Sequence, residues 1–474
     1  MDKDVLRAAA RRVTRWHKRY AILFGRREAQ SHSQVYIRGL LSDVRRKNVE
    51  AIAMTFCKPQ YDDDVGENEV VALQEFVTGS PWEAMAVQQE IQAVFAEELA
   101  PLCSSWPLGT VGVIDESGFA KQGTESVGVA PQYCGRFGKT MNCQVGVFLV
   151  GVTPGGSALL DHQLFLPESW IKDRARRRKT RVPKPIRFKS KPVIAAEMIR
   201  RTHEAGHVKL SWIVGDKLYG SSGPLLDLLE EQDQRYLLHV KPNRTVWIED
   251  PGGRVTTMLG TKRRRRLGVN RQPGVRSVQQ VAKELPADAW QSIQLREGAK
   301  GPLVYEFACK RVWLPRKGKI STPIWVIFQR TMTNREEVSS YISNANEATS
   351  LQELALVIGT RWRVEELFED AKGQLGMADY ETRAWTSWHH HMSLVALAHL
   401  YVTLTKNEMT QEIPELTLGM AVRVLRSTFA RQTVTEDDAI NIIEYHIRRN
   451  RVAHDSHRKS WFQKHQRDRP ETLL

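Results

Sequence analysis

Apolar residues recur every three or four positions along the N-terminal part of the chain, as they do on one face of an α-helix. Leu6, Val13 and Tyr20 lie on such a stripe, and several arginines fall on a different stripe of the same segment. The spacing predicts that residues 1–105 are mainly helical.

Two further segments of this region show the same spacing, residues 34–44 and residues 80–99. The second also carries the signals of a helix start. Ser80 is a suitable N-cap, Pro81 fits the first helical position, and Glu83 completes a capping box. These residues predict a helix that begins at position 81.

After Pro107 the helical spacing gives way to short apolar runs that end in turn residues. The most apolar of them, Val145–Val152, indicates a buried strand, and the PGG that follows predicts a hairpin. Three strands followed by helix, strand, helix and strand predict an α/β layered core. The segments are the strands 111–120, 144–153 and 157–167, the helix at about 192–205, the strand 208–216, the helix near 223–232 and the strand 235–242.

The alternation stops after residue 242, where Gly, Arg and short β patterns replace it. Helical spacing returns at about 352–376, 386–406, 415–430 and 435–449. The pattern therefore predicts five segments. They are a helical N-terminal region (1–105), the first part of the core (106–242), a β-rich insertion (243–350), the helix that completes the core (351–380) and a helical C-terminal region with a basic tail (381–474).

The chain is strongly basic, with 69 Lys and Arg against 54 Asp and Glu and a formal net charge of +15. Such a protein most often binds a polyanion, for which nucleic acid is the leading candidate and a membrane surface the weaker one. The five cysteines are scattered and include no C-x-x-C pair, which argues against a disulfide framework and a zinc knuckle. Because no apolar run could span a bilayer and no secretory pattern opens the chain, we expect a cytoplasmic protein.

The segment RWRVEELFEDAKGQLG places four carboxylates among cations on a predicted helix. Glu366 and Asp370 lie about 100–140° from Glu365 on its polar side, so we expect both to face solvent. Glu365 lies at the border of the buried stripe, where a cleft would form. Arg361 precedes it by about one turn and Lys372 follows it by about two turns.

Two other acids end predicted strands, Asp115 after VGVI and Asp216 after LSWIVG. A single acid in that place is usually a turn former, but acids at the carboxyl ends of strands also line the functional edge of α/β sheets. Together with Glu365 they suggest a two-metal site for phosphoryl transfer, because Mg²⁺ prefers carboxylate oxygens. Glu116 is the nearest competitor of Asp115, and strand alternation predicts that their side chains point to opposite faces.

Arg361, Glu365 and Lys372, separated by three and six residues, match the signature helix of DDE transposases from bacterial insertion sequences, which this chain resembles. The tyrosine usual three positions before that arginine is Ile358 here. Longer blocks resemble the branch known as insertion-sequence family 701, in the same order over most of residues 20–405. They are YIRGLLSDVRRKNVE (36–50), SPWEAMAVQ (80–88), DESGFAKQGTESVGVAPQYCGRFGKTMNCQVGV (115–147), GDKLYG (215–220) and WHHHMSLVALAHL (388–400).

The resemblance implies an RNase H-like α/β core, with a β-rich insertion between its last strand and the glutamate helix and with helical regions on both flanks. It also implies a metal-binding triad of Asp115, Asp216 and Glu365 that holds two Mg²⁺ ions, with Mn²⁺ as substitute, Asp115 bridging both. Water and later a DNA 3′-OH would attack a phosphodiester in line. Arg361 and Lys372 would grip DNA phosphates.

The implied function is cut-and-paste transposition of double-stranded DNA. Residues 1–105 would bind the terminal inverted repeats, and a homodimer would pair the two ends. Residues 172–191 hold eleven Lys and Arg, and residues 262–276 hold seven. A charge run is usually a solvated loop, but in a DNA-binding chain these runs are expected to track phosphates. The further DNA-binding candidates are Lys121, Arg176, Arg177, Arg178, Arg263 and Arg264.

Three other features suggest sites that the sequence disfavours. GRFGKT is not a P-loop, because Tyr133 stands where a glycine is required. The adjacent histidines 389–391 face different directions on a helix, which favours a helix-start cluster over a metal site. Trp247, Trp313 and Trp325 favour a β-layer core over stacking on a flipped base.

Three functions stay open at this level. The first is a transposase, and the second is an RNase H-like nuclease that cuts DNA without joining it. The third is a domesticated DNA-binding protein with an inactive site, which the presence of all three acids and both flanking cations disfavours.

Overall fold

The structure is a computed structural model of the chain. It describes residues 3–57, 65–251, 274–298, 301–316, 319–320, 322–410, 413, 416–428, 447–448, 450–460 and 463. Most of the helix predicted at 435–449 lies outside these residues. None of the helices that the structure describes has both the length and the apolar character needed to cross a bilayer.

The described part of residues 1–105 forms five α-helices, as its apolar spacing predicts. Their apolar stripes meet in a common core that buries Val13, Tyr20 and Leu40. The helices are α1 (Lys3–Ala21), α2 (Arg27–Leu41), α3 (Val49–Phe56), α4 (Val65–Thr78) and α5 (Ala84–Glu98).

Helix α5 begins at Ala84, so the capping box predicted from Ser80 is wrong. The cause is the tertiary environment of Trp82, which is buried and stacks on His390 at a centroid distance of 3.6 Å. Its indole N–H donates to the Phe76 carbonyl at 3.0 Å. These contacts hold the segment before Ala84 outside the helix.

The core is a ten-stranded mixed sheet, and two small two-stranded sheets lie beside it. The strands are β1 (Val111–Ala120), β2 (Ala130–Cys134), β3 (Lys139–Thr153), β4 (Gly156–Leu164), β5 (Trp212–Gly215), β6 (Tyr236–Val240), β7 (Thr245–Trp247), β8 (Val275–Ser277), β9 (Gln291–Gly298), β10 (Gly301–Val312), β11 (Pro315–Arg316), β12 (Lys319–Ile320), β13 (Ile324–Arg330) and β14 (Val338–Ser343). Their order in the large sheet is β2-β3-β1-β5-β6-β14-β13-β10-β9, and β4 pairs with β3.

The first half of this sheet has the topology expected of an RNase H-like core. Strands β1, β3 and β4 are antiparallel neighbours, and the predicted hairpin joins β3 to β4. Gly156 in that turn has a φ of +135°, which favours glycine. Strands β5 and β6 then add in parallel beside β1. The fold class predicted from the sequence is therefore confirmed.

The insertion extends the same sheet instead of forming a separate layer. Strand β14 pairs antiparallel with β6, with Ser340 opposite Val240, and β13, β10 and β9 follow outward. Val326, Phe328 and Ile342 on these strands are buried. The short pairs β7-β8 and β11-β12 make up the two smaller sheets.

Helices cover the sheet. They are α6 (Glu168–Lys172), α7 (Arg174–Lys179), α8 (Lys191–Ala205), α9 (Gly223–Glu231), α10 (Val278–Glu284), α11 (Leu351–Gly359), α12 (Trp362–Gln374), α13 (Trp385–Thr410) and α14 (Leu418–Thr428). The single helical segment predicted at 352–376 is two helices, because the Thr360 hydroxyl donates to the Val357 carbonyl at 2.7 Å and ends α11. Helix α12 starts anew, and Glu365 in its first turn lines a cavity with residues from the middle of β1 and from the end of β5.

Candidate active site

Asp115 and Asp216 lie where the parallel pairing of β1 with β5 ends, with Asp115 in the middle of β1 and Asp216 directly after β5. The strand that Asp115 was predicted to end continues to Ala120. Strand β1 pairs with β5 so that Ile114 lies opposite Gly215, the residues directly before the two acids. Glu365 in the first turn of α12 faces the same place. All three carboxylates line one cavity of about 800 Å³. The remaining lining residues are Glu116, Ser117, Gly118, Tyr133, Gly135, Val145, Phe368, Glu369, Lys372 and Gly373.

The surroundings of Asp115 and Asp216 disfavour the ionised form of both side chains. Burial, followed by the charges of Glu116 and Asp216, raises the pKa of Asp115 to about 7. Burial and the charge of Glu116 also raise the pKa of Asp216. Each aspartate accepts a main-chain N–H at 2.8 Å, from Glu116 and from Leu218 respectively. A cation between these groups would relieve their repulsion.

Glu365 differs from the two aspartates because it has a resident counter-ion. Its Oε1 lies 2.7 Å from Arg361 Nη2, and 59% of its side chain is exposed, against 33% for Arg361. The positive charge of Arg361 also lowers the pKa values of Asp115 and Asp216. Arg361 therefore interacts with all three carboxylates.

Lys372, near the C-terminal end of α12, also lies at the cavity. Its Nζ donates to the Gly118 carbonyl at 3.0 Å and lies 5.0 Å from the centroid of the Phe119 ring. This contact joins α12 to β1 beyond Asp115. The signature residues Arg361 and Lys372 thus flank the carboxylates, as their spacing from Glu365 predicts.

Strand alternation does not remove Glu116 from the site, contrary to expectation. Glu116 lines the same cavity, and its charge raises the pKa of both aspartates. Its own oxygens are used elsewhere: Oε1 accepts from Lys191 Nζ and Oε2 from the Tyr219 hydroxyl, both at 2.9 Å. Glu116 therefore acts on the aspartates through its charge while two donors hold it in place.

The expectation that Glu366 and Asp370 face solvent is wrong. Glu366 is half-buried and pairs with Arg363 at 3.1 Å. Burial raises the pKa of Asp370 to about 6, and Lys406 of α13 acts on it with an opposing charge. The helix wheel gives their direction correctly, but α13 occupies that side. The exposed acids on the cavity side are instead Glu365 and Glu369.

The donor set of the cavity fits a hard divalent ion, because it consists of carboxylate oxygens whose mutual repulsion a cation would offset. The three carboxylates line one cavity but do not converge on a single point. Within the described residues, no three or more His, Cys, Asp or Glu side chains are close enough together to hold a metal ion. The residues thus suit such an ion chemically, while Glu365 is engaged by Arg361.

Lys121, predicted to bind DNA, points inward. Its Nζ donates to the Tyr380 carbonyl at 2.9 Å and lies 3.6 Å from the centroid of the Tyr380 ring. Burial lowers its pKa to about 8. In this position Lys121 attaches the end of β1 to the segment after α12.

The basic run 172–191 is ordered, and two of its predicted DNA-binding residues have structural contacts. Arg176 lies over the Trp170 ring at 3.8 Å, and its Nη2 donates to the Thr124 carbonyl at 2.7 Å. Arg177 Nη2 donates to the carbonyls of the following loop, at 3.0 Å to Pro183 and to Ile186. Arg178 is exposed on α7. Arg263 and Arg264 lie outside the described residues.

Sequence reasoning did not single out Tyr133 as a site residue. Its side chain is 63% exposed at the cavity, on the strand before the β2-β3 turn. The alternation of APQYC contained the signal, because the buried Cys134 at its end places Tyr133 on the outer face.

The tryptophans and histidines behave as core residues. Trp247 and Trp313 exchange two main-chain hydrogen bonds of 2.9 Å, and the Trp325 indole donates to the Asn346 carbonyl at 3.0 Å. The histidines at positions 389–391 lie in the first turns of α13 and are buried among aromatic rings, half-buried in the case of His389.

Comparison with known proteins relates this architecture to enzymes that act on nucleic acid. A family model described as a DDE superfamily endonuclease matches residues 19–302, more than half of the chain. The match includes Asp115 and Asp216 and ends before Glu365. A protein named "Probable transposase for insertion sequence element IS701", from Microchaete diplosiphon, is 28% identical over 211 residues. That similarity spans 44% of this chain and 48% of the relative, so the chain matches about half of the relative's length.

Proposed function

Because this chain belongs to the DDE superfamily of endonucleases, we propose that it is the transposase of an insertion sequence and cleaves and joins DNA. The observation that supports this most directly is the position of Asp115, Asp216 and Glu365 on the walls of one cavity. Chain regions separated by about a hundred residues or more supply these acids, and the sheet and α12 bring them to one edge. The similarity to an insertion-sequence transposase supports the same function.

Asp115, Asp216 and Glu365 are the proposed ligands of two divalent ions, Mg²⁺ or its substitute Mn²⁺. Ions held there supply charge neutralisation at the attacking and leaving oxygens of a phosphodiester. Arg361 and Lys372 flank the acids and would hold backbone phosphates, Arg with its planar fork and Lys as a point charge.

We further propose that double-stranded DNA binds through residues 1–105 and the exposed cations near the cavity, such as Arg178. The formal charge of +15 supports a phosphate-rich partner. Cut-and-paste transposition also requires that two ends be held together, for which a homodimer of this chain on DNA is the simplest arrangement. In this proposal the protein acts in the cytoplasm, at the nucleoid.

Loss of one acid should separate chemistry from binding. We expect Asp115→Ala to abolish strand cleavage of a plasmid that carries the element's ends, while its affinity for those ends stays within about twofold of the wild type. Glu369→Gln is the matched control, since this acid lines the same cavity outside the triad and should keep most activity. Cleavage by Asp115→Ala at the wild-type rate would refute the assignment.

The alternative is a nuclease of the same family that cuts without joining. The plasmid assay distinguishes the two, because a transposase yields products in which the element's 3′ ends are joined to new target DNA. Cleaved ends without any joined product would support the nuclease.

A further inference from the structure

The charge of Arg361 acts on all three carboxylates of the cavity. Its guanidinium pairs with Glu365 at 2.7 Å, and its charge acts on Asp115 and on Asp216. It lies at the junction of α11 and α12, and two-thirds of its side chain is covered. The covered stem limits where the charged group can move.

This ion pair and a shared metal site make competing demands on Glu365. A divalent ion needs carboxylate oxygens directed at it and is repelled by a guanidinium nearby. In the described chain no three acids converge on one point, and Glu365 is directed to Arg361. The pair therefore keeps Glu365 away from the two aspartates.

We infer that Arg361 is a positioning residue that couples DNA binding to metal binding: a DNA phosphate that draws Arg361 from Glu365 frees this carboxylate to complete the metal site. The inference rests on the proposed function, because it takes a DNA phosphate as the group that Arg361 exchanges for Glu365. By linkage, metal binding then strengthens the hold on the phosphate by the same factor.

The strength of the pair suits such an exchange. Glu365 is 59% exposed, so water competes for it and the pair is weak. A DNA phosphodiester offers the guanidinium two oxygens in a forked contact and carries one negative charge, as the carboxylate does, and the neighbouring phosphates add to its attraction. From the usual strength of such pairs, we expect coupling of roughly two- to fivefold in affinity.

Arg363 provides a matched control on the same helix. It pairs with an acid three residues later, Glu366, at 3.1 Å, and 31% of its side chain is exposed, close to the 33% of Arg361. The Arg363–Glu366 pair lies towards Lys406 of α13. The charge of Arg363 does not contribute to the pKa shifts of Asp115 and Asp216. Substitution of Arg363 thus removes a similar charge and ion pair without access to the cavity.

The test is Mn²⁺ binding to the full chain, measured by calorimetry without DNA. Arg361→Gln should raise the Mn²⁺ affinity roughly two- to fivefold, and Arg363→Gln should leave it unchanged. Arg361→Lys keeps the charge but loses the forked contact, so its Mn²⁺ affinity should lie between those of the wild type and Arg361→Gln. This variant keeps the test valid if Arg361→Gln does not fold. Equal affinities in Arg361→Gln and Arg363→Gln would overturn the inference.

Two further measurements separate positioning from simple repulsion. In a Glu365→Gln background, the effect of Arg361→Gln should disappear; an undiminished gain would mean that Arg361 acts by charge alone and would also overturn the inference. A 30-base-pair duplex, about three helical turns, should raise the Mn²⁺ affinity of the wild type and not that of Arg361→Gln. An equal rise in both contradicts the coupling. If the duplex does not bind at all, the proposed function fails, while the DNA-free comparison still tests the release of Glu365.

Discussion

At the scale of single residues, the chemistry of the cavity follows from like charges held close together. Burial is the main reason that Asp115 and Asp216 are costly to ionise, and the charge of Glu116 adds to this cost at both aspartates. Arg361 offsets only part of this cost. The cavity thus holds a local excess of negative charge in a chain whose net charge is +15.

Asp115 should therefore destabilise the metal-free protein at high pH. Its folded pKa of about 7 lies above the unfolded value, so the stabilising contribution of its neutral form is complete below about pH 4 and is lost as pH rises through 7. One pKa unit corresponds to about 1.4 kcal/mol, and partial exposure of the side chain reduces the effect. We therefore expect Asp115→Asn to raise the free energy of unfolding by about 2 kcal/mol at pH 8.

The measurement is chemical unfolding in EDTA at pH 8 and at pH 4. The advantage of Asp115→Asn should vanish at pH 4, where the wild-type carboxyl is also largely neutral. Glu369→Gln, an exposed acid of the same cavity, should show no such pH-dependent gain. A variant no more stable than the wild type at pH 8 would contradict the charge argument.

At the scale of elements, local signals predicted the helices and strands well, and tertiary contacts account for the errors. The apolar periods predicted α8, α9 and α13 to within a few residues, because each period is contained in its own segment. The start of α5 could not be predicted, because Trp82 is held by residues more than three hundred positions away. Position on a helix wheel likewise indicated where Glu366 points, but not that α13 lies there.

The same distinction applies to the basic helix α7. Neighbouring arginines look equivalent in the sequence, yet Arg177 bonds to three carbonyls of the next loop and Arg178 is exposed. We expect Arg177→Ala to destabilise this loop by roughly 1–3 kcal/mol, because hydrogen bonds from a charged group are lost. Trypsin should then cut faster after Arg187.

Arg178→Ala should leave the loop intact and weaken DNA binding. Its resistance to trypsin at the loop should match that of the wild type, and its DNA affinity should fall with a decrease of about one in the slope of log affinity against log salt. If both variants lost DNA affinity equally and kept the loop intact, the separation of their roles would be wrong.

At the scale of the whole molecule, the α/β order could be predicted, as could the position of the three acids at one cavity, because the ends of apolar runs and the faces of helices are local features. The extension of the core sheet by the insertion could not, since β6 and β14 are separated by about a hundred residues. Helix α13 is the other long-range feature: it packs on β4, on α14 and on the N-terminal helices α2, α4 and α5. It therefore joins the two helical regions to the RNase H-like core.

Helix α13 should also make the stability of the protein depend on pH, because it carries four histidines that burial keeps neutral, three of them buried and His389 half-buried. Burial lowers the pKa of His389, His390 and His399 to about 4 and that of His391 to about 3. For each, the folded pKa lies below the unfolded value of about 6.5, so its stabilising contribution is complete above pH 6.5 and is lost as pH falls towards 4.

His399 offers the cleanest test, since its Nε2 is buried without a hydrogen-bond partner among the described residues. At pH 5 His399 is protonated in the unfolded chain but stays neutral in the folded protein. This difference lowers the free energy of unfolding by about 2 kcal/mol relative to pH 7. We expect His399→Leu to reduce the difference in unfolding free energy between pH 7 and pH 5 by about that amount. Urea unfolding at the two pH values measures it, with His207→Leu, a substitution at an exposed histidine, as control. An unchanged difference in His399→Leu would mean that the acid sensitivity of the molecule does not arise in the helix that connects its parts.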